Sequence, residues 1–225
     1  MNTLCVDTST SHAVIGLYQN QKVFERISTF SRTHTEFINQ AFQEILEESD
    51  SKIADIDLFV LGKGPGSFTG VRVAGNFVKT LSFLIKKPFL QLNTLDILAS
   101  QTEDPCLVII NAYKNLVYTG LFSKGFSLLN PAAVPVHQLE NILNNANLSQ
   151  VLCLGDGYNI YQPYMSEALK TRLIRKQLFS DFPKSSFLFD LSKKRAKTDW
   201  TLEWNLYSPL YIRASEAEEN LVLKS

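Results

Sequence analysis

Two stretches of this chain repeat one another, and that repeat limits the folds open to it more than any other feature. Leu4-Cys5-Val6-Asp7 is a short apolar run ending in a carboxylate; after a polar turn, Thr8 to Ser11, comes a second run, Ala13-Val14-Ile15-Gly16-Leu17-Tyr18. A shift of 104 residues brings Val108-Ile109-Ile110-Asn111, again an apolar run with a short polar end, and then Val117-Tyr118-Thr119-Gly120-Leu121-Phe122. In this alignment Gly16 matches Gly120, Leu17 matches Leu121 and Tyr18 matches Phe122. A second echo follows in the same order: Phe59-Val60-Leu61-Gly62-Lys63-Gly64 resembles Leu152-Cys153-Leu154-Gly155-Asp156-Gly157, each a strand closed by Gly-x-Gly. A chain with two copies of strand-turn-strand, helix, strand has two sheets to bury. The expected architecture is α/β with two mixed-sheet lobes and packed helices, residues 1–103 and 104–225.

Local patterning fills in the first copy. Residues 22–28 alternate as a third strand, and Phe37, Ile38, Ala41, Phe42, Ile45 and Leu46 recur at helical spacing, predicting an amphipathic helix from about Ser31 to Ser49. Ser31 and Thr33 are candidate caps, and Thr33 to Glu36 has capping-box spacing. Asp57 to Leu61 reads as a strand. Val71 to Ile85 is apolar on almost every face, so this helix is expected to be buried on several sides or to meet a partner.

The chain has 225 residues, 45% of them hydrophobic, with 22 basic and 22 acidic side chains. That composition supports a packed core and disfavours a stand-alone nucleic-acid binder, whose phosphate contacts need a basic excess. Residues 1–60 carry nine acidic against four basic groups, so the rest is net positive. Cys5, Cys106 and Cys153 each sit in an apolar run with no CxxC, which signals neither a zinc site nor a redox pair and fits a reducing cytosol. The N-terminus lacks a signal-peptide pattern and nothing approaches the ~18 apolar residues of a membrane span. A soluble cytoplasmic protein is expected.

The strongest local motif is Gly62-Lys63-Gly64-Pro65-Gly66-Ser67-Phe68-Thr69-Gly70-Val71-Arg72, between a strand and a helix. It is neither a Walker loop nor the GxGxxG of dinucleotide binding. Its glycines allow unusual backbone angles, and Ser67 or Thr69 can cap the helix whose free N–H groups would welcome an anion. A tight turn without ligand and an anion site with Gly64, Gly66, Ser67 and Thr69 both remain open. Asp7, Thr8 and Ser9 could orient a Mg²⁺-phosphate, but the repeated position is Asn111 and offers no second carboxylate. His12, His34 and His137 are not at metal-binding spacing, and no GxSxG elbow is present. No catalytic set and no metal set emerges. From Lys170 to Lys197, nine basic residues interleave with Phe179, Phe182, Phe187 and Phe189 against only Asp181 and Asp190, which is either a solvated surface or an RNA-backbone contact.

Leu4-Cys5-Val6-Asp7-Thr8-Ser9, Gly64-Pro65-Gly66-Ser67-Phe68-Thr69-Gly70-Val71-Arg72-Val73 and Pro209-Leu210-Tyr211-Ile212-Arg213 together resemble the bacterial TsaB (YeaZ) family. His34 and the Gly155-Asp156-Gly157 turn fit it as well. The resemblance runs end to end, firmly over the first 100 residues or so and loosely between Phe122 and Ser208. It implies a degenerate actin/Hsp70/sugar-kinase (RNase H-like) architecture. It further implies a noncatalytic partner of TsaD in forming N6-threonylcarbamoyladenosine at position 37 of ANN-decoding tRNAs, with the ATPase TsaE joining the larger assembly. Docking through the first two helices is expected to use His34, Phe37, Ile38, Ala41, Gly70, Arg72, Val73, Ala74, Phe77 and Val78, with a homodimer when alone. No intrinsic cofactor is implied, although ATP or ADP could sit at the shared interface, and tRNA is met only through the complex. On the docking reading, Ala74→Arg blocks the partner and leaves the monomer folded. Asn111-Ala112-Tyr113-Lys114 departs from the family's Asp-Ala-Arg-Arg and puts any contact there in doubt. The rival functions are an ATP-dependent phosphotransferase of the same fold using Asp7 and the glycine loop, and a peptidase acting on the partner.

Overall fold

The computed structural model describes residues 1–28 and 33–213. In chain order the elements are β1 (Thr3–Asp7), β2 (Val14–Gln19), β3 (Lys22–Ile27), α1 (His34–Glu48), β4 (Leu58–Gly62), α2 (Phe68–Ile85), β5 (Phe89–Leu92) and α3 (Thr94–Ala99). There follow β6 (Cys106–Asn111), β7 (Leu116–Ser123), β8 (Phe126–Ser127), β9 (Ala132–Pro135), α4 (Leu139–Asn145), β10 (Val151–Leu154), α5 (Gly157–Tyr161), α6 (Glu167–Arg172), β11 (Leu173–Ile174) and α7 (Ser185–Lys194). The first sheet has the order β3-β2-β1-β4-β5 and the second β11-β10-β6-β7-β8, with β9 on β7. In both, a central strand pairs antiparallel with the next strand and parallel with a later one: β1 with β2 and β4, β6 with β7 and β10.

The repeat is therefore real in topology, but its register differs from the sequence alignment. Asp7 faces Val14 across its ladder, while Asn111 faces Val117. Matching the two strand ends places Gly16 against Thr119 rather than Gly120. A one-residue shift turns a strand's side chains to the opposite face, so the expected glycine pair is not an equivalent position.

Strand alternation sets the layers. Leu4 and Val6 face α1 and α2, where Ile38, Ala41, Phe42, Ile45, Ala74 and Val78 complete a buried cluster. Cys5 faces the other way with Leu58, Val60, Ile97 and Leu188. In the second sheet Leu107 and Ile109 meet α4 and α6, while Cys106, Val108 and Ile110 meet Leu95 and Leu98 of α3. The short helix α3 thus sends side chains to both sheets. All three cysteines are buried and free; burial pushes Cys106 and Cys153 up to about 12.

Helix α1 starts on Thr33, whose Oγ1 accepts the Glu36 N–H (3.3 Å); the alternative cap, Ser31, lies outside the described residues. Helix α2 starts on Ser67, whose hydroxyl accepts the Gly70 N–H (3.2 Å). Two pieces of the later half lie on the first sheet. Helix α7 packs against β1, β2 and β4, and Thr201 extends the β5 edge by pairing with Phe89. A division at residue 104 separates the strands of the two sheets but not these packing partners, because among the described residues of the first half only α3 covers the first sheet's second face.

The Leu188 side chain is fully buried in that face. Leu188→Ala should cost about 2–5 kcal/mol by leaving a cavity. Hydrogen exchange should then accelerate in β1 and β4 before β6 and β7; equal acceleration in both sheets would show that α7 does not belong to the first.

Candidate functional site

The glycine loop between β4 and α2 and the β1–β2 turn meet backbone to backbone. A Cβ at Gly70 would lie 1.9 Å from the Thr8 carbonyl oxygen, and one at Gly66 would lie 2.1 Å from that of Ser9. The Ser67 N–H donates to Ser9 O (2.7 Å), and the Thr8 hydroxyl donates to Gly70 O (2.5 Å) while accepting the Ala74 N–H (3.0 Å). Gly64 has φ +90°, which favours glycine, and its carbonyl accepts the Thr94 N–H (2.8 Å). Asp7, Thr8, Ser9, Gly64, Gly66 and Ser67 are thus brought together as the sequence motifs suggest. Thr69 is exposed in the first turn of α2, where it lines the α1–α2 groove rather than touching Asp7's hydrogen-bond partners.

Asp7 is fully buried. Its Oδ1 accepts the N–H (2.8 Å) and hydroxyl (2.7 Å) of Ser9, and its Oδ2 faces Thr94 and the bare Cα of Gly62. Burial outweighs these hydrogen bonds and raises its carboxyl to about 6. A carboxylate so enclosed organises the turn; reaching a Mg²⁺-phosphate from there would require the glycine loop to leave it.

The second lobe presents a different group at the same level. Asn111 Oδ1 accepts the Tyr113 N–H (2.9 Å) and the Tyr161 hydroxyl (2.8 Å), while its own N–H donates to Asp156 (3.0 Å). Asp156, in the Gly155-Asp156-Gly157 turn, is the acid of this lobe, and burial raises its carboxyl. Sequence reading passed over it. The available signal was its place between two glycines, where the first copy has Lys63.

Between the lobes lies a cleft of about 480 Å³ lined by Ser9 to His12, His34, Asn111, Asp156 and Phe182. The His12 ring stacks on Phe182 (3.9 Å), and burial and the nearby His34 lower its pKa. His34 lies 3.1 Å from the Thr10 carbonyl through Nε2, so that nitrogen is the donor and the ring ties α1 to the β1–β2 turn. Ser11 Oγ sits 3.1 Å from His12 Nδ1 and also neighbours Asp156. The serine stands between acid and imidazole, whereas nucleophilic catalysis needs the imidazole in the middle.

A larger groove, about 760 Å³, runs between α1 and α2. Ile38, Phe42, Val73 and Phe77 form its floor, and Asn39, Gln43, Asn76 and Thr80 its rim. Of the ten residues expected at a partner interface, Arg72 is exposed, and Phe37, Val73 and Phe77 are half-buried. His34 lines the interlobe cleft instead. Ile38, Ala41, Gly70, Ala74 and Val78 are buried beneath the surface. The expectation for Ala74 is corrected: it is 0% exposed and its N–H is held by Thr8, so an arginine there would bury a charge inside the core and unfold the monomer. Sequence periodicity finds the helix face but not the uncharged rim, because Asn and Gln carry no signal in an apolar pattern.

The basic stretch from Lys170 to Lys197 does not form one surface. Lys170 pairs with Glu167 (2.7 Å), Arg175 with Asp181 (2.5 Å), Lys193 with Asp190 (2.9 Å) and Arg195 with Asp96 (3.5 Å), while Arg172 caps Asn144 and Leu148. Phe187 and Phe189 pack on the first sheet and Phe179 on the second. Among the described residues no group of three His, Cys, Asp or Glu side chains is placed to hold a metal, and no helix is long and apolar enough to cross a membrane.

A family model described as "TsaD: tRNA N6-adenosine threonylcarbamoyltransferase" matches residues 27–221. The tRNA threonylcarbamoyladenosine biosynthesis protein TsaB of Bacillus subtilis is 27% identical, over 97% of this chain and 96% of its own. The tRNA N6-adenosine threonylcarbamoyltransferase of Rickettsia rickettsii is 32% identical over 43% of this chain and 26% of its own. The solved structure of YeaZ from Pseudomonas aeruginosa superposes with a TM-score of 0.78 at 23% identity, covering 93% of this chain and 99% of that one.

The raised Asp7 carboxyl gives a pH prediction. Its folded-state value of about 6 lies above the ordinary 3.8, so the folded protein holds this proton more tightly than the unfolded chain. Stability relative to Asp7→Asn should fall as pH rises from about 4 to 6, by roughly 3 kcal/mol for a shift of about two units. Denaturant melts of both proteins at pH 4 and pH 7.5 measure it; a pH-independent difference would remove the buried-carboxyl account.

Proposed function

This chain belongs to the TsaB (YeaZ) family, within the wider family of the tRNA N6-adenosine threonylcarbamoyltransferases, and from that premise we propose that it is the noncatalytic partner of TsaD. It takes part in tRNA threonylcarbamoyladenosine biosynthesis. In the proposed assembly TsaD transfers the threonylcarbamoyl group to adenosine 37 of ANN-decoding tRNAs, and this chain docks on it through α1 and α2.

The groove between those helices carries the reading. Its apolar floor and uncharged polar rim are the composition of an interface core, where charge is depleted. Arg72 stands at one end as the single exposed cation among the residues expected there. A partner of the same architecture would bring a matching helix pair, and a self-complementary face of this kind serves a homodimer when the partner is absent. The noncatalytic part of the reading is supported by Asp7. A phosphotransferase needs an acid open to its substrate, and this one lies under Gly62 with both oxygens occupied. TsaE belongs to the larger assembly, ATP or ADP would sit at the shared interface rather than on this chain alone, and tRNA is reached through the complex. The basic stretch agrees with that last point, since four of its nine cations are already paired with carboxylates.

Asn76 is exposed on the groove rim. Asn76→Arg should weaken co-purification with TsaD by about 30-fold, on the order of 2 kcal/mol, because the long charged side chain would project over the apolar floor that the partner must cover, with the monomer's melting point little changed. Modification of tRNA in a reconstituted mixture should fall in parallel. Undiminished binding by this variant would refute docking through the groove, and modification without this chain would refute the partnership itself.

A further inference from the structure

We propose that residues 201–213 are an interlobe latch, anchored along the first lobe and closed on the β6–β7 turn of the second through Arg213. The anchors come in sequence. Thr201 exchanges backbone hydrogen bonds with Phe89 (2.9 and 3.0 Å), and the Gln91 amide holds Leu206 O (3.1 Å) and the Ser208 N–H (3.0 Å). The Tyr207 ring lies over Gly75, where a Cβ would come within 2.3 Å, and its hydroxyl donates to Val71 O (2.9 Å). The Leu210 N–H donates to Lys63 O (2.7 Å). Tyr211 stacks on Phe68 (4.4 Å) and accepts from Arg72 Nε (3.0 Å), whose guanidinium also covers Phe68 (4.0 Å).

Arg213 then crosses the gap, its guanidinium donating to Ala112 O and Tyr113 O. Those carbonyls belong to a turn in which Tyr113, Lys114 and Asn115 all have left-handed φ, 58°, 52° and 59°. Each non-glycine residue there costs on the order of 1 kcal/mol and persists only where its surroundings hold it. A charged double donor on the turn's carbonyls is such a hold. The latch roofs a cavity of about 310 Å³ between Ser67 to Thr69 and Ala112 to Lys114. On the far side the lobes are joined by α3, whose side chains enter both sheets. With α3 as a pivot on the far side, Arg213 is the catch that closes this cavity at the β6–β7 turn, while His12 on Phe182 and Ser11 beside Asp156 join the lobes at the neighbouring cleft. Arg72 also lines the α1–α2 groove, so a partner seated there bears on Tyr211; this coupling rests on the docking reading, the latch itself does not.

Hydrogen–deuterium exchange on the full chain, without partner, tests it. Arg213→Gln should speed exchange at residues 112–118 about tenfold while β1 and β4 keep wild-type rates, and Arg213→Lys should restore part of the protection. Tyr211→Phe, which keeps the ring stack and loses the Arg72 bond, should give a smaller rise at the same residues; it decides the question in the same way if Arg213→Gln does not fold. Wild-type exchange at 112–118 in these variants overturns the latch, and so does a rise that is equal in β1 and β4. Neither result would touch the docking groove, which TsaD co-purification reads separately.

Discussion

The contact between the β1–β2 turn and the glycine loop is the constraint on which the first lobe depends. Two peptide backbones approach so closely that neither Gly66 nor Gly70 has room for a methyl group, and Ser67, Thr8 and Ala74 exchange hydrogen bonds across the seam. Because Gly70 and Ala74 lie on α2, the same seam sets where α2 starts and how deeply it sits on the sheet. The buried Asp7 belongs to this arrangement, as the acceptor that shapes the turn lying against α2.

Closing that seam leaves the molecule with two very different surfaces. Toward the interlobe cleft the two acids differ: Asp7 is enclosed beneath Gly62, while Asp156, half-buried beside the Asn111 N–H, lines the cleft. Away from it, α2 has more apolar surface than one sheet face can cover, and the excess forms the groove with α1. A buried Asp7 with both oxygens occupied suits a scaffold, and an open apolar groove with an uncharged rim suits docking. The groove and the cavity under residues 201–213 meet where Arg72, on the groove, donates to Tyr211, on the cavity.

Much of the first lobe was legible in the chain. The α1 face follows from the spacing of Phe37, Ile38, Ala41, Phe42, Ile45 and Leu46, and the cap from Thr33. The duplicated strand order was legible because strand runs and glycine turns recur in order. Its register was not, since hydrogen-bond pairing depends on how the turns at Thr8 to Ala13 and at Ala112 to Asn115 are folded, and the second takes three left-handed residues. The site was legible as a set of residues, with a tight turn and an anion site both left open. Gly64, Gly66 and Gly70 announce close approach, but whether an anion or another backbone approaches is decided by a segment more than fifty residues away.

Sequence alone determined the α/β duplication, the helix faces, the buried cysteines and the glycine-rich turn between strand and helix, because each is a local pattern of side-chain size and polarity. Tertiary structure alone decided that Ala74 is core rather than interface, that the basic stretch is spent on scattered partners, that α7 returns to cover the first sheet, and that residues 201–213 span both lobes. Those outcomes depend on which distant surfaces meet, and a periodic pattern states how much apolar area must be covered without saying by what.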